Sequence, residues 1–207
     1  MLAGFDRYMQ IARCFRDEDL RADRQPEFTQ IDLEMSFVDE NDVMNIAEGF
    51  IRSAFKCILD IDIKLPLLRL TYNEAMNRFG SDKPDMRFGL ELCDITDTLR
   101  NTEFRVFSGA ISGGGSVRAI NVKKCADKLT RKEIDKLSTW IKDYGAKGLA
   151  WTKINQDGSS SSSYEKFLSE AEVNGIREKL NAENGDILFI VASDDNQIVV
   201  YSLGALR

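Results

Sequence analysis

The sequence predicts an α+β fold, because stretches with the two-residue period of β-strands alternate with stretches that have the period of amphipathic helices. Residues 6–38 alternate polar and apolar side chains on both sides of a charged loop, which is typical of a β-hairpin. From about residue 89 onward the predicted order of elements is β-β-α-β-α-β-β. That order favours a compact domain with helices on a mainly antiparallel sheet.

The hairpin has one unusually polar face. The first strand alternates Tyr8, Gln10, Ala12 and Cys14 with Met9, Ile11 and Arg13. The second strand alternates Phe28, Gln30, Asp32 and Glu34 with Thr29, Ile31, Leu33 and Met35. Polar groups that project from one face of a sheet need water, a partner or a ligand. Taken alone, the charged loop between the strands is most simply explained as a solvated hairpin tip with salt bridges.

Helices are predicted in the first region by hydrophobic spacing and by capping residues. Residues 42–58 form an amphipathic helix that packs on the sheet, and residues 66–70 form a short strand or extended segment. Thr71 and Glu74 make a capping box that opens a second helix, and this helix stops before Gly80. Residues 81–85 are predicted to form a turn.

The second region is predicted to be richer in strands. Residues 103–107 and 117–122 are predicted as a hairpin with three glycines, 113–115, near its tip. A plain flexible hairpin is favoured over a phosphate-binding loop, because neither a Lys-Ser/Thr pair nor a helix follows the glycines. The remaining predictions are helices beginning at Thr130 and Ser169, strands at 148–154, 186–192 and 197–201, and a mobile serine-rich loop at 156–163.

Composition excludes several kinds of chemistry. The chain has 207 residues, a net charge of −6 and no histidine. Catalytic triads that need histidine and zinc sites that contain it are therefore excluded, and any chemistry must depend on the placement of charges. The four cysteines are widely spaced, as expected of reduced thiols in a cytoplasmic protein. No apolar run approaches the about 20 residues of a membrane span, so no membrane association is expected.

The hairpin resembles motif 2 of class II aminoacyl-tRNA synthetases. The motif 2 sequence of the bacterial-type aspartyl-tRNA synthetases is similar to two segments of this chain, Phe-Arg-Asp-Glu-Asp at 15–19 and Arg-Gln-Pro-Glu-Phe-Thr-Gln-Ile-Asp at 24–32. The likeness continues at 80–85, 144–149 and 204–207 and so extends over essentially the whole chain. It implies that residues 1–88 are part of an antiparallel-sheet catalytic domain, that 89–200 are a compact α+β insertion domain of the GAD type, and that 201–207 return towards the catalytic domain.

The resemblance also implies roles for individual residues. Arg16 would be the catalytic arginine between the aspartate carboxylate and the α-phosphate of ATP, and so would contact both substrates. The other implied ATP-binding residues are Asp17, Glu18, Gln25 and Phe28, with Phe28 stacking on adenine. Gln30 and Asp32 would bind aspartate, and Arg21 and Arg24 would face the acceptor end of tRNA. No metal site is expected in the protein itself, and Mg²⁺ would arrive with ATP.

Two functions from different classes follow. The first is an aspartate–tRNA ligase that forms aspartyl-adenylate and charges tRNA, with L-aspartate, ATP and tRNA as partners and a homodimer as the intact enzyme. Because motif 1 and the motif 3 arginine are missing from these residues, the chain is expected to be an inactive internal fragment that can be monomeric. The alternative is a non-enzymatic RNA- or protein-binding module built on the insertion domain. Seven basic residues within 118–136 leave RNA contact open, although an ordinary solvated face is favoured.

Overall fold

The computed structural model describes residues 1–17, 19 and 24–207, and these residues form two compact units, Met1–Arg69 and Leu70–Arg207. The division places residues 70–88 with the second unit, whereas the resemblance groups them with residues 1–69. The boundaries of the catalytic and insertion domains stay predictions, since compactness alone does not assign a segment to a family domain. The α+β class is confirmed, with antiparallel sheets in both units.

The first unit contains the predicted hairpin and the predicted long helix. Strands β1 (Arg7–Phe15) and β2 (Glu27–Met35) pair antiparallel, with Ile11 opposite Ile31. Helix α1 (Glu40–Leu59) begins at Asp39, whose carboxylate accepts hydrogen bonds from the first turn of the helix. Residues 66–70, predicted as a short strand or an extended segment, form neither a helix nor a strand, which leaves the second alternative.

Helix α1 buries a charged residue while much of its apolar stripe stays exposed. The Glu48 carboxylate is 3.0 Å from the Arg69 guanidinium, and Glu48 is the only residue of α1 that is buried. Arg69 also donates to the side chains of Asn41 and Asn45, so it fastens the end of the unit to the helix. In contrast, Phe50 is half-exposed and Ile58 is largely exposed. The predicted packing of α1 on the sheet therefore does not hold along the whole length of the helix.

The second unit is built on one five-stranded antiparallel sheet, and the structure describes all of its residues. The sheet order is β3 (Cys93–Asp94), β4 (Ser116–Val122), β7 (Ile187–Ser193), β5 (Ala150–Ile154) and β6 (Ser160–Ser162). The helices are α2 (Tyr72–Phe79), α3 (Arg105–Ser112), α4 (Arg131–Trp140), α5 (Glu170–Lys179) and α6 (Asn196–Leu206). Short 3-10 turns lie at Asp97–Leu99, Ile141–Tyr144 and Glu165–Phe167.

Helices cover both faces of this sheet. Alternate residues of the central strand β7 enter two separate cores, with Phe189 in one and Ile190 in the other. The first core also contains residues of α2, α4 and α6, and the second contains residues of α3 and α5. Burial on both faces explains why β7 is an almost continuous apolar run instead of an alternating one. The unit is thus a three-layer sandwich with a hydrophobic core on each face of its sheet.

Two predicted strands are helices. Residues 103–107 were predicted as a strand, but α3 begins at Arg105, because Phe104 and Phe107 lie one helical turn apart and both pack on the sheet. Residues 197–201 were also predicted as a strand, but they lie in α6, whose N-cap Asp195 accepts from the Gln197 N–H. In both places aromatic or β-branched residues favour a strand locally, and tertiary packing overrides that preference.

The serine-rich segment is partly a strand. Residues 156–163 were predicted as a mobile loop, but Ser160–Ser162 pairs with β5, and the Thr152 hydroxyl donates to the Ser162 hydroxyl at 2.9 Å. The glycines 113–115 end α3 and lead directly into β4, so they are not the tip of a hairpin. The helices predicted from Thr71, Thr130 and Ser169 are confirmed, each with a complete capping box.

Asp186, immediately before β7, is a fully buried carboxylate that holds the start of this strand. It accepts hydrogen bonds from the Lys124 and Glu183 N–H groups and from the Asn121 amide, and Lys123 lies 3.1 Å away. Burial alone would raise its pKa, but these donors outweigh it and hold the pKa of the carboxyl below its usual range. The negative charge of Asp186 therefore stabilises the folded unit.

We expect Asp186→Asn to lower the free energy of unfolding of this unit by about 2 kcal/mol at pH 7, because the amide turns a donor towards buried N–H groups. A carboxyl with a lowered folded pKa stabilises above its unfolded pKa, so the loss should shrink as the pH falls below about 4. Urea unfolding at pH 7 and pH 3.5 measures both values. Glu183→Gln is the control, because this exposed carboxylate is 3.8 Å from the same lysine. A pH-independent loss would contradict the assignment.

Candidate functional site

The strand register places the predicted aspartate-binding residues on one face of the hairpin. Gln10 is opposite Asp32, and Ala12 is opposite Gln30. Directly opposed residues of an antiparallel pair project to the same side, so these side chains form one polar face. The Gln10 amide donates to the Asp32 carboxylate at 3.1 Å. Asp32 is half-buried and Gln30 is exposed, so this face is accessible in the described chain.

Arg16 lies at the end of the same face. Its guanidinium carbon is 5.4 Å from the centroid of the Phe28 ring, within cation–π distance. Its backbone N–H donates to the Pro26 carbonyl at 2.8 Å, which continues the strand pairing by one residue. Phe28 is opposite Cys14 in the register and half-buried. The structure therefore brings Arg16 and Phe28 together, while their implied roles towards ATP stay predictions.

The remaining predicted residues lie in the connection between the strands. Asp17, Arg24 and Gln25 are exposed there. Glu18 and Arg21 lie outside the described residues. The predicted contacts of these five residues with ATP or tRNA remain predictions.

Sequence reasoning missed Gln10 as part of this face. The alternation of β1 placed it beside Tyr8 and Ala12, but its partner could be identified only from the register of the two strands. The opposite face of the hairpin is different in character. It carries an Arg13–Glu27 ion pair at 3.2 Å and exposed apolar side chains such as Ile11 and Ile31. The two faces therefore have distinct chemistry, and only one carries the predicted site residues.

The polar face combines charges that suit a zwitterionic or phosphorylated ligand. A guanidinium and an aromatic ring lie at one end, and a carboxylate oriented by an amide lies further along the strand. Phe28 and Asp32 are four residues apart, which corresponds to about 13 Å along an extended strand. An anionic group suits the arginine end and an ammonium group suits the carboxylate end. In the described residues, no group of three or more side chains is arranged to hold a metal ion.

The chain that contains this hairpin matches a known protein family. The family model of the class II tRNA synthetases (D, K and N) matches residues 1–189, and the chain belongs to that family. The resemblance found in the sequence is thereby confirmed. Nothing in this match separates residues 89–200 as an insertion domain, so that assignment stays a prediction. No helix in the described part of the chain is long and apolar enough to cross a membrane.

Similarity to individual proteins is high along the whole chain. It is 58% identical over 207 residues to the Aspartate--tRNA(Asp/Asn) ligase of Caldanaerobacter subterraneus subsp. tengcongensis. It is 56% identical to the Aspartate--tRNA ligase of Ruminiclostridium cellulolyticum and 54% identical to the Aspartate--tRNA(Asp/Asn) ligase of a Geobacillus species. Each comparison covers 100% of this chain but 34–35% of the relative. The chain thus spans about a third of the length of the curated relatives it matches.

Proposed function

We propose that this chain supplies the motif 2 side of the active site of an aspartate–tRNA ligase. The single observation that carries the proposal is the shared face of the hairpin, where Arg16 lies over Phe28 and Asp32 lies further along the same strand. The names of the relatives favour aspartate as the amino acid. The whole reaction would form aspartyl-adenylate from L-aspartate and ATP and then transfer the aspartyl group to tRNA.

Arg16 would lower the repulsion between the two negative groups that react in the activation step. An aspartate carboxylate oxygen attacks the α-phosphorus of ATP, a P–O bond forms, and pyrophosphate leaves with the electrons of the broken bond. Both reacting groups are negative, so a fixed cation between them lowers their repulsion and stabilises the charge of the transition state. Arginine suits this position because its planar guanidinium contacts two oxygens at once and does not lose its proton. Adenine stacked on Phe28 would bring the α-phosphate near Arg16.

Asp32 would hold the other end of the amino acid substrate. Its carboxylate would pair with the substrate ammonium, with Gln30 beside it, and the hydrogen bond from Gln10 keeps the carboxylate in place. Asp17, Glu18 and Gln25 would contact ATP, which brings Mg²⁺ as part of the substrate. Arg21 and Arg24 would face the acceptor end of tRNA. A cytoplasmic, homodimeric enzyme is the form that the family resemblance implies.

The isolated chain would not activate aspartate, because a two-stranded hairpin offers only one wall of a site. A non-enzymatic binding module is the second candidate. It is favoured by one observation, the self-contained two-sided core of residues 70–207. The two candidate functions predict different results when the chain is placed in a complete ligase. The first predicts that the hairpin supports catalysis there, and the second predicts that it does not.

A chimera tests the proposal. These 207 residues would replace the matching segment of the Ruminiclostridium cellulolyticum ligase, to which they are 56% identical. We expect the chimera to catalyse aspartate-dependent ATP–pyrophosphate exchange and the isolated chain to show none above background. The control is the same ligase with the segment deleted. A folded chimera without exchange would contradict the enzymatic proposal and favour the binding module, and exchange by the isolated chain would contradict the one-wall argument.

A further inference from the structure

A pocket is lined entirely by residues of the second unit. Its volume is about 640 Å³, and it lies where α2, α6 and the Ile141–Tyr144 turn meet. Its lining includes three tyrosines and two aspartates, Tyr72, Tyr144, Tyr201, Asp82 and Asp143. No lysine or arginine is among its lining residues, which all belong to the described chain. The chemistry of this lining is therefore aromatic and negative.

The floor of the pocket is held by a close backbone contact. A Cβ atom at Gly80 would lie 2.1 Å from the Val200 carbonyl oxygen and 2.6 Å from the Gly204 Cα. Such a contact leaves no room for a side chain between α2 and α6. Met76, which also lines the pocket, is buried in the core beneath it. The pocket is therefore built by packed elements of the second unit.

The negative charges in the pocket are not used by the fold. Neither Asp82 nor Asp143 forms an ion pair with any residue that the structure describes. Interaction with the Tyr201 hydroxyl raises the pKa of Tyr72 above its usual value, and burial and the nearby Asp82 add to the effect. The lining therefore carries the negative charges of Asp82 and Asp143 and no positive charge. An anionic ligand would meet repulsion here.

We propose that this pocket binds a guanidinium or alkylammonium group. Aromatic rings present a negative π-face to a cation, and nearby carboxylates complete the neutralisation of its charge. Three tyrosine rings and two carboxylates without a competing basic side chain offer both kinds of contact. The cation could be carried by an arginine or lysine side chain of a polypeptide or by a small alkyl cation. The proposal is independent of the aspartate-activating site, because it rests only on residues of the second unit.

Trp140 provides a reporter for the test. Its ring centroid is 4.7 Å from that of Tyr144, which lines the pocket. Fluorescence of the 207-residue chain would be titrated with n-butylguanidinium and, separately, with the uncharged isostere n-butylurea. We expect a saturable change with the cation and at least about fivefold weaker binding of the urea. The peptide acetyl-Gly-Arg-Gly-amide distinguishes the sources, since tighter binding of the peptide than of butylguanidinium indicates a polypeptide partner.

Variants test whether the fluorescence change arises from binding in this pocket. Tyr201→Leu, or Asp82→Asn combined with Asp143→Asn, should weaken binding of butylguanidinium about fivefold, whereas Tyr201→Phe keeps the ring and should retain it. Glu103→Gln removes an exposed carboxylate outside the pocket and should also retain it. Circular dichroism confirms that each variant is folded, and Trp140→Phe confirms the origin of the signal. Equal responses to the cation and the urea, an unchanged response in the double aspartate variant, or no saturable response would each overturn the proposal.

Discussion

Replacing Arg16 by alanine in the chimeric ligase should lower aspartate-dependent ATP–pyrophosphate exchange about a thousandfold. The physical reason is that the guanidinium is most useful when carboxylate and phosphate oxygens approach each other, so its loss raises the energy of the transition state more than that of the bound substrates. Its backbone hydrogen bond to Pro26 does not involve the side chain, so the end of the hairpin should stay formed. Steady-state exchange rates measured at saturating aspartate and ATP give the effect.

Arg13→Ala is the matched control for this prediction. Arg13 is three residues away on β1, but its side chain pairs with Glu27 on the opposite face of the hairpin, and both side chains are more than half exposed. Removing an exposed ion pair of this kind costs about 0–1 kcal/mol of stability and should leave the exchange rate within a few-fold. A loss of activity that is equal for Arg13→Ala and Arg16→Ala would mean that hairpin folding, not charge at the reacting centre, explains the result. Unchanged exchange in Arg16→Ala would contradict the assigned role.

Elements with a local chemical signal were predictable from the sequence. Thr71, Thr130 and Ser169 each precede a glutamate by three residues, and each forms both hydrogen bonds of a capping box in the structure. The hairpin was predictable for a similar reason, since a period of two over nine residues in each strand leaves little alternative. Where backbone donors have a side-chain partner close in sequence, local reasoning was sufficient.

The two missed helices needed information from elsewhere in the fold. Val199 and Val200 are β-branched, but α6 is buried against β4 and β7, and Asp195 caps its first turn. The segment Gln-Ile-Val-Val-Tyr has no polar alternation, and a continuously apolar stretch of this length is compatible with either a buried strand or a buried helix. Only the sheet on which it packs decides between the two.

The candidate sites show the same limit. Arg16, Phe28 and Asp32 could be proposed because a family resemblance names positions, and the register then showed that Phe28 and Asp32 share a face. The tyrosine pocket had no comparable signal, since Tyr72 and Tyr201 are distant in sequence and meet only because α2 packs on α6. A pocket made by tertiary packing of ordinary residues carries no local pattern that sequence reasoning could detect.

Two segments that carried the family resemblance, 80–85 and 204–207, lie against each other in the second unit. Gly80 and Gly204 make the backbone contact between α2 and α6. Arg207 stacks on the Phe79 ring at 4.8 Å and donates to the Gly89 carbonyl at 3.0 Å. These segments therefore contain residues that hold the second unit together.

Replacing Gly80 by alanine should therefore lower the free energy of unfolding of the second unit by at least about 3 kcal/mol, or its thermal midpoint by roughly 10 °C. Two costs add together. Gly80 has a φ of +68°, which side chains rarely adopt, and an added Cβ would lie 2.1 Å from the Val200 carbonyl oxygen. Neither cost is relieved by rotating a side chain, because the neighbouring atoms are backbone. Calorimetry or urea unfolding measures the loss.

Alanine substitutions at three other glycines separate the cost of the positive φ from the cost of the close backbone contact. Gly89 has the same φ of +68° with nothing within 4 Å of an added Cβ, so Gly89→Ala should lose about 1 kcal/mol from backbone strain alone. Gly204→Ala tests the contact without the positive φ, since its Cβ would lie 2.4 Å from the Gly80 carbonyl oxygen. Gly109 lies within α3 with open space around it, and Gly109→Ala should stabilise by about 0.5–1 kcal/mol. If Gly80→Ala costs no more than Gly89→Ala, the close approach of α2 and α6 does not exist in solution, and the tyrosine pocket above it loses its floor.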